Sequence, residues 1–431
     1  MMNRRFTHLL AAVAGLALVA TLAACGQTKA ASKAAAPVKI TYWHRMTGAW
    51  NKAQQKMIDD FNASQKQYKV VAVSQGSYDA LQQKIMAAAK SKTLPTMAQA
   101  PYTNIGDYVK NDFIQPWDSE MLTGANRLSA SQLKDIYPSF LAAGQYQGKQ
   151  YGVPYSVSTR VLFYNQDLMD QYGLTLPKTW ADFAAMSAKL KPAGLTAVAL
   201  DQSYDVELEG LAQQSGAKLI GANGKANLTA PTTLAAVNTL LDLRKAGMLR
   251  TAGEDGYFSV PFINQKVVFG IGSSASIPIL QQQAPKGLHW GTAAIPGVDG
   301  HNGTALNGND NVLFKGATKA QKAGAWAFQK FLLKAKNSAY WAAKSGYVPV
   351  TKAGAADATY QQHLKANPTF KAAVDASNNA FASTIFAGYT DYRNALMTTV
   401  DDTLTKNTEG KTAFTALQAK AEAILKANQS R

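Results

Sequence analysis

The sequence has one cysteine, Cys25, and only five histidines in 431 residues. A single cysteine forms no internal disulfide, so the stability of the fold must come from its buried core. The histidines make no HExxH motif and no close pair, which leaves a zinc site with little support. We therefore expect no bound metal.

The common motifs of nucleotide binding and covalent catalysis are missing too. The chain has no Walker loop, no G-x-G-x-x-G behind a strand and no G-x-S-x-G nucleophile elbow. The segment TDYRNALMTTVDD carries carboxylates, but nothing pairs them with a positioned partner of the kind that glycan hydrolysis requires. We expect a protein that is not an enzyme and uses no cofactor.

Acidic residues are in the minority, with 27 Asp and Glu against 44 Lys and Arg and a formal net charge of +17. Such a charge suits nucleic acid, anionic surfaces or anionic ligands. The lysines are scattered, however, and neither a dense arginine block nor an aromatic RNA-binding motif accompanies them. We expect no nucleic-acid partner and favour a solvated basic surface near an anionic cell envelope.

The first residues have the pattern of a secretion signal. Arg4 and Arg5 precede an uncharged apolar run, residues 9–24, that ends in small residues. A short apolar run behind arginines is typical of a signal peptide, which we assign to residues 1–24. The alternative is a membrane-spanning anchor helix, but the run is short for the ~20 apolar residues that a span needs.

The cysteine that follows this apolar run indicates a particular kind of signal peptide. Leu-Ala-Ala-Cys resembles the bacterial lipobox, in which cleavage falls before the cysteine and its thiol carries a lipid. The motif predicts lipidation at Cys25 and anchoring at the extracellular face of the bacterial cell membrane, where acyl chains hold a protein by burying methylenes. Residues 25–37, rich in Ala, Ser and Lys, would form a flexible tether.

The remaining roughly 400 residues are enough for two domains with ordinary cores, and a hydrophobic content of 47% is that of a globular protein. Apolar spacing predicts strands at 39–43 and 68–73, helices at 51–62 and from Ser77, and a short run at 96–104. The order strand–helix–strand–helix–strand indicates an α/β fold with parallel strands and right-handed crossovers.

A second α/β unit begins near the middle of the chain. The segment VLFY, 161–164, predicts a strand, and Thr179 is the expected N-cap of the helix after it. A helix around 234–246 and the strand KVVFGIG, 266–272, follow, and residues 289–297 are interpreted as a return crossing.

Three segments carry a resemblance to a known family: YGVPYSVSTRVLFYNQDLMDQYGL, PKTWADFAAMSAKLK and SGYVPVTK. They resemble the family-1 extracellular solute-binding proteins of ABC importers, and within that family most of all the members that bind glycerol 3-phosphate. The likeness covers about residues 38–427. It implies two Rossmann-like lobes joined by a hinge, with ligand held in the cleft between them. The expected bounds are 38–154 and 298–335 for the N-terminal lobe, 155–290 and 336–431 for the C-terminal lobe, and 291–297 for the hinge crossing.

Ligands of open α/β sheets sit beyond the carboxyl ends of the strands, which selects candidate site residues. Trp43 and His44 end the first strand, with Arg45 after them, and alternation leaves Tyr42 as the buried neighbour. Hydroxyls near helix starts attract phosphate or sugar oxygens. By position or by resemblance we add Tyr78, Ser158, Thr159, Ser273, Ser274, Asn309, Asp310 and Tyr347. Arg393 is the candidate cation for a phosphate.

Two positions depart from the glycerol 3-phosphate pattern. Tyr102 stands near the place of an acidic residue, and Asp205, with Asp201, stands where tryptophans are expected. Aspartates would repel a phosphate but suit sugar hydroxyls, so a glycerophosphodiester and a neutral sugar both stay open. Each candidate also has a structural alternative: the serines as helix caps, Tyr347 as packing and NGND as a solvent turn.

The main hypothesis is therefore a protein that delivers a sugar, polyol phosphate or glycerophosphodiester to an ABC transporter permease. Lobe closure by a hinge would bury the solute. The first alternative is an exported hydrolase of glycans, which predicts two carboxylates about 5–10 Å apart across a cleft. The second is an envelope adhesin on the basic surface, which predicts no deep cleft.

Overall fold

The fold was analysed in a computed structural model, which describes residues 36–428. The predicted signal segment, most of the predicted tether and Cys25 lie outside the described residues. No helix among residues 36–428 is long and apolar enough to cross a membrane. The strands are β1 Val38–His44, β2 Tyr68–Ser74, β3 Met97–Ala100, β4 Ile114–Gln115, β5 Gln145–Tyr146, β6 Lys149–Gln150, β7 Gly152–Ser158, β8 Arg160–Asn165, β9 Thr196–Leu200, β10 Leu249–Arg250, β11 Val267–Ser273, β12 Trp290–Ala293 and β13 Asn307–Phe314.

The first sheet contains the predicted parallel strands. Its order is β2-β1-β3-β13-β4, and β7 pairs with β13 on the same side as β4. Strands β1, β2 and β3 are parallel, as predicted, and β13 runs antiparallel to β3 and β7. The sequence reasoning did not foresee that a strand more than 200 residues downstream enters this sheet.

The second sheet has the order β10-β9-β11-β8-β12. Strands β9, β10 and β11 are parallel, whereas β8 is antiparallel to both β11 and β12. The short pair β5-β6 stands alone. Both main sheets are covered by helices. One buried apolar cluster extends from the first sheet onto the second, and another lies within the second half. The architecture is two α/β halves, as predicted.

The helices follow the predicted spacing where apolar periodicity and caps agree. They are α1 Gly48–Ser64, α2 Tyr78–Ser91, α3 Ile105–Lys110, α4 Ala130–Asp135, α5 Pro138–Ala143, α6 Gln166–Gln171, α7 Trp180–Ala185, α8 Ser187–Leu190, α9 Tyr204–Gln214, α10 Pro231–Lys245, α11 Ser259–Ile263, α12 Ile277–Gln283, α13 Lys319–Leu332, α14 Ala335–Ser345, α15 Lys352–Ala355, α16 Ala358–Ala366, α17 Lys371–Ala376, α18 Tyr389–Lys406 and α19 Gly410–Asn428. Ser77 caps α2 by accepting a hydrogen bond from Ala80 N at 3.0 Å, and Thr179 is the N-cap of α7.

The chain passes between the two halves three times. The first passage is at Thr159, between β7 and β8; the second is the segment 294–306 between β12 and β13. These positions differ from the predicted bounds, because β7 extends to Ser158 in the first sheet and β12 places residues 290–293 in the second. The expected hinge at 291–297 therefore overlaps a sheet strand.

The third passage lies between α14 and α17. It corrects the predicted assignment of residues 336–431 to a single lobe. Helix α14 packs against α1, and Tyr137 N donates to Val350 O, so this part of the chain belongs with the first half. Helix α17 packs on β8, and α18 and α19 pack with α9 and α10 in the second half. Residues 336–428 are mostly helical and are shared between the halves.

Candidate functional site

Strand β1 separates its side chains onto two faces as alternation requires. Tyr42 is fully buried, as predicted, and its hydroxyl donates to Asn311 Oδ1 at 2.8 Å. His44 shares that face: it is 2% exposed, and its Nδ1 accepts from Met46 N at 3.2 Å. Burial lowers the pKa of His44 to about 4, so the ring is neutral near pH 7. Trp43 lies on the opposite face and is partly buried against the first core.

The residue after β1, Arg45, lies among three aromatic rings. Its guanidinium carbon is 4.3 Å from the Tyr78 ring centre and 5.1 Å from that of Trp50. Its Nη2 donates to the Tyr347 hydroxyl at 2.5 Å. We call Arg45, Trp50, Tyr78, Asn309 and Tyr347 the Arg45 cluster. The cluster joins the carboxyl end of β1 to α1, the start of α2, and the loop after α14.

Asn309 enters this cluster from the inserted strand β13. Its Nδ2 donates to the Tyr78 hydroxyl at 3.1 Å, and its Oδ1 is buried with no hydrogen-bond partner. The pairing of β7 with β13 is irregular between Asn309 and Asp310. Gly308 has a φ of +119°, and a Cβ there would stand 1.9 Å from Ser156 O, so this approach requires glycine. Asn309 and Asp310 are buried within β13, so NGND is not a solvent turn, and its role as a solute contact stays a prediction.

The second half approaches the cluster through the start of α12. Ser274 is fully buried; its backbone N donates to Thr159 O at 2.9 Å, and its Oγ has no partner. A Cβ on Gly346 would lie 2.5 Å from Ser274 O, so this serine borders the loop that carries Tyr347. Ser273 Oγ accepts from Ala275 N at 3.2 Å, which is the helix-capping alternative.

Arg393 and Asp205 were predicted as separate ligand contacts, but the structure pairs them with each other. Arg393 Nε lies 2.6 Å from Asp205 Oδ2, and its Nη2 lies 3.1 Å from Oδ1, a bidentate arrangement. Burial would lower the pKa of Arg393, but Asp205, and then Asp79 beside Tyr78, raise it above its ordinary value. Helix α18, which carries Arg393, is held to the first half because Asp107 accepts hydrogen bonds from Gly388 N and Thr390 N.

Asp201 likewise has a partner within the protein. Arg160 lies on the first residue of β8, with its Nη1 3.4 Å from Asp201 Oδ2 and its Nε 3.2 Å from Glu207 Oε2. All three side chains are buried. Burial raises the pKa of Glu207 to about 7, although Arg160 opposes that shift. Arg160 was not predicted as a functional residue, although a charged residue at the start of an otherwise apolar strand is unusual.

The other predicted residues make contacts that tie the halves together. The Tyr102 hydroxyl donates to Leu306 O at 3.2 Å and accepts from Ser383 N at 3.0 Å. Thr159 Oγ1 donates to Ala373 O at 3.0 Å. Ser158 is buried at the last position of β7, opposite Asn307. The structure thus brings Tyr78, Asn309 and Tyr347 together, with Ser274 beside them, and places the remaining candidates in structural contacts.

Asp310 is a buried carboxylate without a counter-charge. Its Oδ2 has no hydrogen-bond partner, and a Cβ on Gly152 would stand 2.3 Å from that atom. Burial raises the pKa of Asp310 to about 8, so the carboxyl is mostly protonated at neutral pH. No group of three or more His, Cys, Asp or Glu within residues 36–428 is arranged to hold a metal ion.

A cavity of about 370 Å³ lies away from the Arg45 cluster, among the three passages. Its lining includes Thr292 of β12, Asn302 of the second passage, Lys371 and Asp375 of α17, and Asn379 after that helix. Lys371 and Asp375 pair with each other at 2.5 Å. None of the predicted site residues lines this cavity.

Comparison with protein families decides the classification. Residues 56–372 match the family model described as bacterial extracellular solute-binding protein. This chain belongs to that family. The solute-binding protein is 26% identical over 344 residues to the sn-glycerol-3-phosphate-binding periplasmic protein of Shigella dysenteriae, covering 76% of this chain and 78% of the relative. It is 26% identical over 353 residues to the protein of the same name from Brucella melitensis, covering 78% and 80%.

Solved structures share the fold of this solute-binding protein. The glycerophosphocholine complex of UgpB from Mycobacterium tuberculosis superposes with a TM-score of 0.79 at 20% identity, covering 91% of this chain and 98% of that one. The cyclic α-maltosyl-1,6-maltose-binding protein of Arthrobacter globiformis gives 0.78 at 22% identity, covering 91% and 100%. These superpositions establish the two-lobe fold. Because the sequence identities are low, they do not identify the solute, which has to be inferred from the site.

Sequence reasoning missed several residues that the solute-binding protein places near its candidate site. Trp50 lies in the first turn of α1, and only the structure shows that its ring is close to the Arg45 guanidinium. Tyr257, in the second half, is 62% exposed and contributes to the high pKa of Arg45. An aromatic residue beside a single glycine, in DGYF, is the one sequence signal that could have drawn attention to it.

Proposed function

We propose that this protein captures a small hydroxylated solute, a sugar or a glycerol-phosphate-type compound, and delivers it to the permease of an ABC importer. The observation that carries the proposal is the Arg45 cluster, in which rings, amide and guanidinium from four separate segments meet. Aromatic rings cover apolar sugar or glycerol faces, and polar groups between them fix the hydroxyls. The curated relatives, named for binding sn-glycerol 3-phosphate, support this solute class.

Two observations favour the Arg45 cluster over the cavity as the solute site. The cluster contains buried polar atoms without partners, Asn309 Oδ1 and Arg45 Nε, and Ser274 Oγ lies beside it. Burying such atoms costs free energy that a hydrogen-bonding ligand recovers. The cavity is lined instead by charges that already pair, Lys371 with Asp375. The protein's relatives are binding proteins rather than enzymes, and no catalytic step is proposed.

A binding experiment tests the site directly. Isothermal titration calorimetry with glycerol 3-phosphate, glycerophosphocholine and maltose is expected to show that the wild type binds at least one of these three probes. Tyr78→Ala is expected to weaken it about tenfold or more, because the variant removes both the ring beneath Arg45 and the partner of Asn309. Tyr172→Ala, a partly buried tyrosine of the second half, is the control and should keep wild-type affinity. Equal affinities of Tyr78→Ala and wild type would place the solute elsewhere.

We also propose that Cys25 carries the lipid that holds the protein at the extracellular face of the cell membrane. The supporting observation is the Leu-Ala-Ala-Cys sequence behind an apolar run. One acyl chain holds a protein only marginally, whereas two or more hold it firmly. Wild-type protein is expected to sediment with membranes and to incorporate labelled palmitate. The Cys25→Ala variant is expected to lack the label and to be released into the medium. Membrane sedimentation of Cys25→Ala would show that another segment anchors the chain.

A further inference from the structure

The strongest unexplained feature of the Arg45 cluster is a cation without an anion. Arg160 and Arg393 each face a carboxylate within 3.4 Å. Arg45 takes part in none of the ion pairs among the residues that the structure describes. Arg45 is partly buried, and cation–π contacts with Trp50 and Tyr78 offset part of the cost of desolvating its charge. They supply no negative charge, so the desolvated part of the cation is left without a counter-charge.

The Arg45 guanidinium also has N–H groups that donate no hydrogen bond within the described residues. Arginine carries five N–H groups, and within the described residues its one side-chain hydrogen bond goes from Nη2 to the Tyr347 hydroxyl. Its Nε is buried with no hydrogen-bond partner. The Trp50 and Tyr78 rings and the hydrogen bond to Tyr347 restrain the guanidinium, while its other N–H groups have no side-chain partner among the described residues.

Two hydroxyls add to these donors. The Tyr347 oxygen accepts from Arg45 and the Tyr78 oxygen accepts from Asn309, so each hydroxyl can donate its own proton to an incoming oxygen. Burial raises the pKa of Tyr347 well above its ordinary value, which keeps that proton in place at neutral pH. A restrained guanidinium with two flanking hydroxyls suits a tetrahedral group with three acceptor oxygens.

The residue that sequence reasoning selected for this task is already neutralised. Arg393 forms a bidentate pair with Asp205, so together they bring no net charge to the cleft. The nearest acid on β13, Asp310, has a pKa raised to about 8 by burial and adds little negative charge at neutral pH. The charge balance of the site therefore depends on Arg45.

We propose, on the basis of the function proposed above, that the solute carries a phosphate ester and that Arg45, rather than Arg393, pairs with it. The phosphate of a phosphorylated polyol and that of a glycerophosphodiester share this chemistry. The two differ in charge and in the group beyond the phosphate, so both are used as probes.

The test is calorimetry at neutral pH with glycerol 3-phosphate, glycerophosphocholine, glycerol and maltose. Arg45→Gln is expected to weaken phosphate-ester binding roughly 10- to 100-fold, the size of a lost charge-assisted hydrogen bond. Arg127→Gln, an exposed arginine, removes the same charge and should leave the affinity unchanged. Arg45→Lys keeps the charge without the fork and should give an intermediate affinity, which separates a lost contact from a misfolded variant. High ionic strength should weaken phosphate-ester binding more in the wild type than in Arg45→Gln.

Three outcomes would overturn the inference. The first is phosphate-ester binding by Arg45→Gln as tight as that of the wild type, and the second is abolition of that binding by Arg393→Gln alone. The third is tight binding of maltose with no binding of either phosphate ester, which would refute the phosphate assignment while leaving the proposed solute-delivery function supported. If neither phosphate ester binds any variant and Tyr78→Ala loses maltose binding, the same site binds a neutral sugar instead.

Discussion

Replacing Arg160 by methionine is expected to lower the free energy of unfolding by about 3–5 kcal/mol, the usual cost of removing one partner of a buried ion pair. Arg160 is 2% exposed and lies against Asp201 and Glu207, which are equally enclosed. The variant leaves two carboxyls in an apolar environment with no cation. Urea denaturation followed by tryptophan fluorescence measures the change.

Arg250→Met is the matched control, because Arg250 pairs with Asp255 near the surface. Exposed pairs contribute about 0–1 kcal/mol, so its expected effect is small. The Arg160→Met loss should shrink at about pH 5, where protonation of the carboxyls removes the uncompensated charge. A loss below about 1 kcal/mol at neutral pH would mean that water reaches the carboxyls and that the pair is not structurally important.

Replacing Asp310 by asparagine is expected to stabilise the protein in alkaline solution and to remove part of its pH dependence. The folded-state pKa of Asp310 is raised by burial from 3.8 to about 8. The folded state therefore binds the proton more tightly, so this carboxyl favours folding below about pH 4 and loses that contribution as the pH rises to about 8. At 1.36 kcal/mol per pH unit, the loss between about pH 5 and pH 8 is roughly 4 kcal/mol.

Asparagine has nearly the same shape and does not ionise, so the variant should lack that loss. Unfolding free energies of wild type and Asp310→Asn, measured by urea denaturation at both pH values, should diverge by this amount at the higher pH. Asp60→Asn, at an exposed ion pair with Lys56, should change stability by less than about 1 kcal/mol. Parallel pH curves for wild type and Asp310→Asn would show that the carboxyl is solvated.

The sequence predicted the elements that local pattern determines. Helix α2 begins after Ser77, as predicted, and buries Leu81 and Ile85. The first three strands are parallel because each is joined to the next by a helix. Strand β13 escaped prediction because its position depends on pairing with β3 across 200 residues, for which local periodicity carries no signal. The division of residues 336–428 between the two halves was not predicted for the same reason.

The candidate site was partly predictable for a related reason. The carboxyl ends of strands pointed to the neighbourhood of β1, and alternation correctly buried Tyr42. Which cation stays unpaired depends on contacts between distant segments, such as Asp205 with Arg393. Sequence alone gives the inventory of charges in the cleft, and only the packed structure gives their balance.

The insertion of β13 has a consequence for the order of events in the cell. Because residues 307–314 fill an interior position of the first sheet, that sheet stays unfinished until synthesis has passed all five strands of the second sheet. Long-range pairing of this kind slows folding. The first half, although it begins earlier in the sequence, is therefore the later of the two to complete its sheet during synthesis.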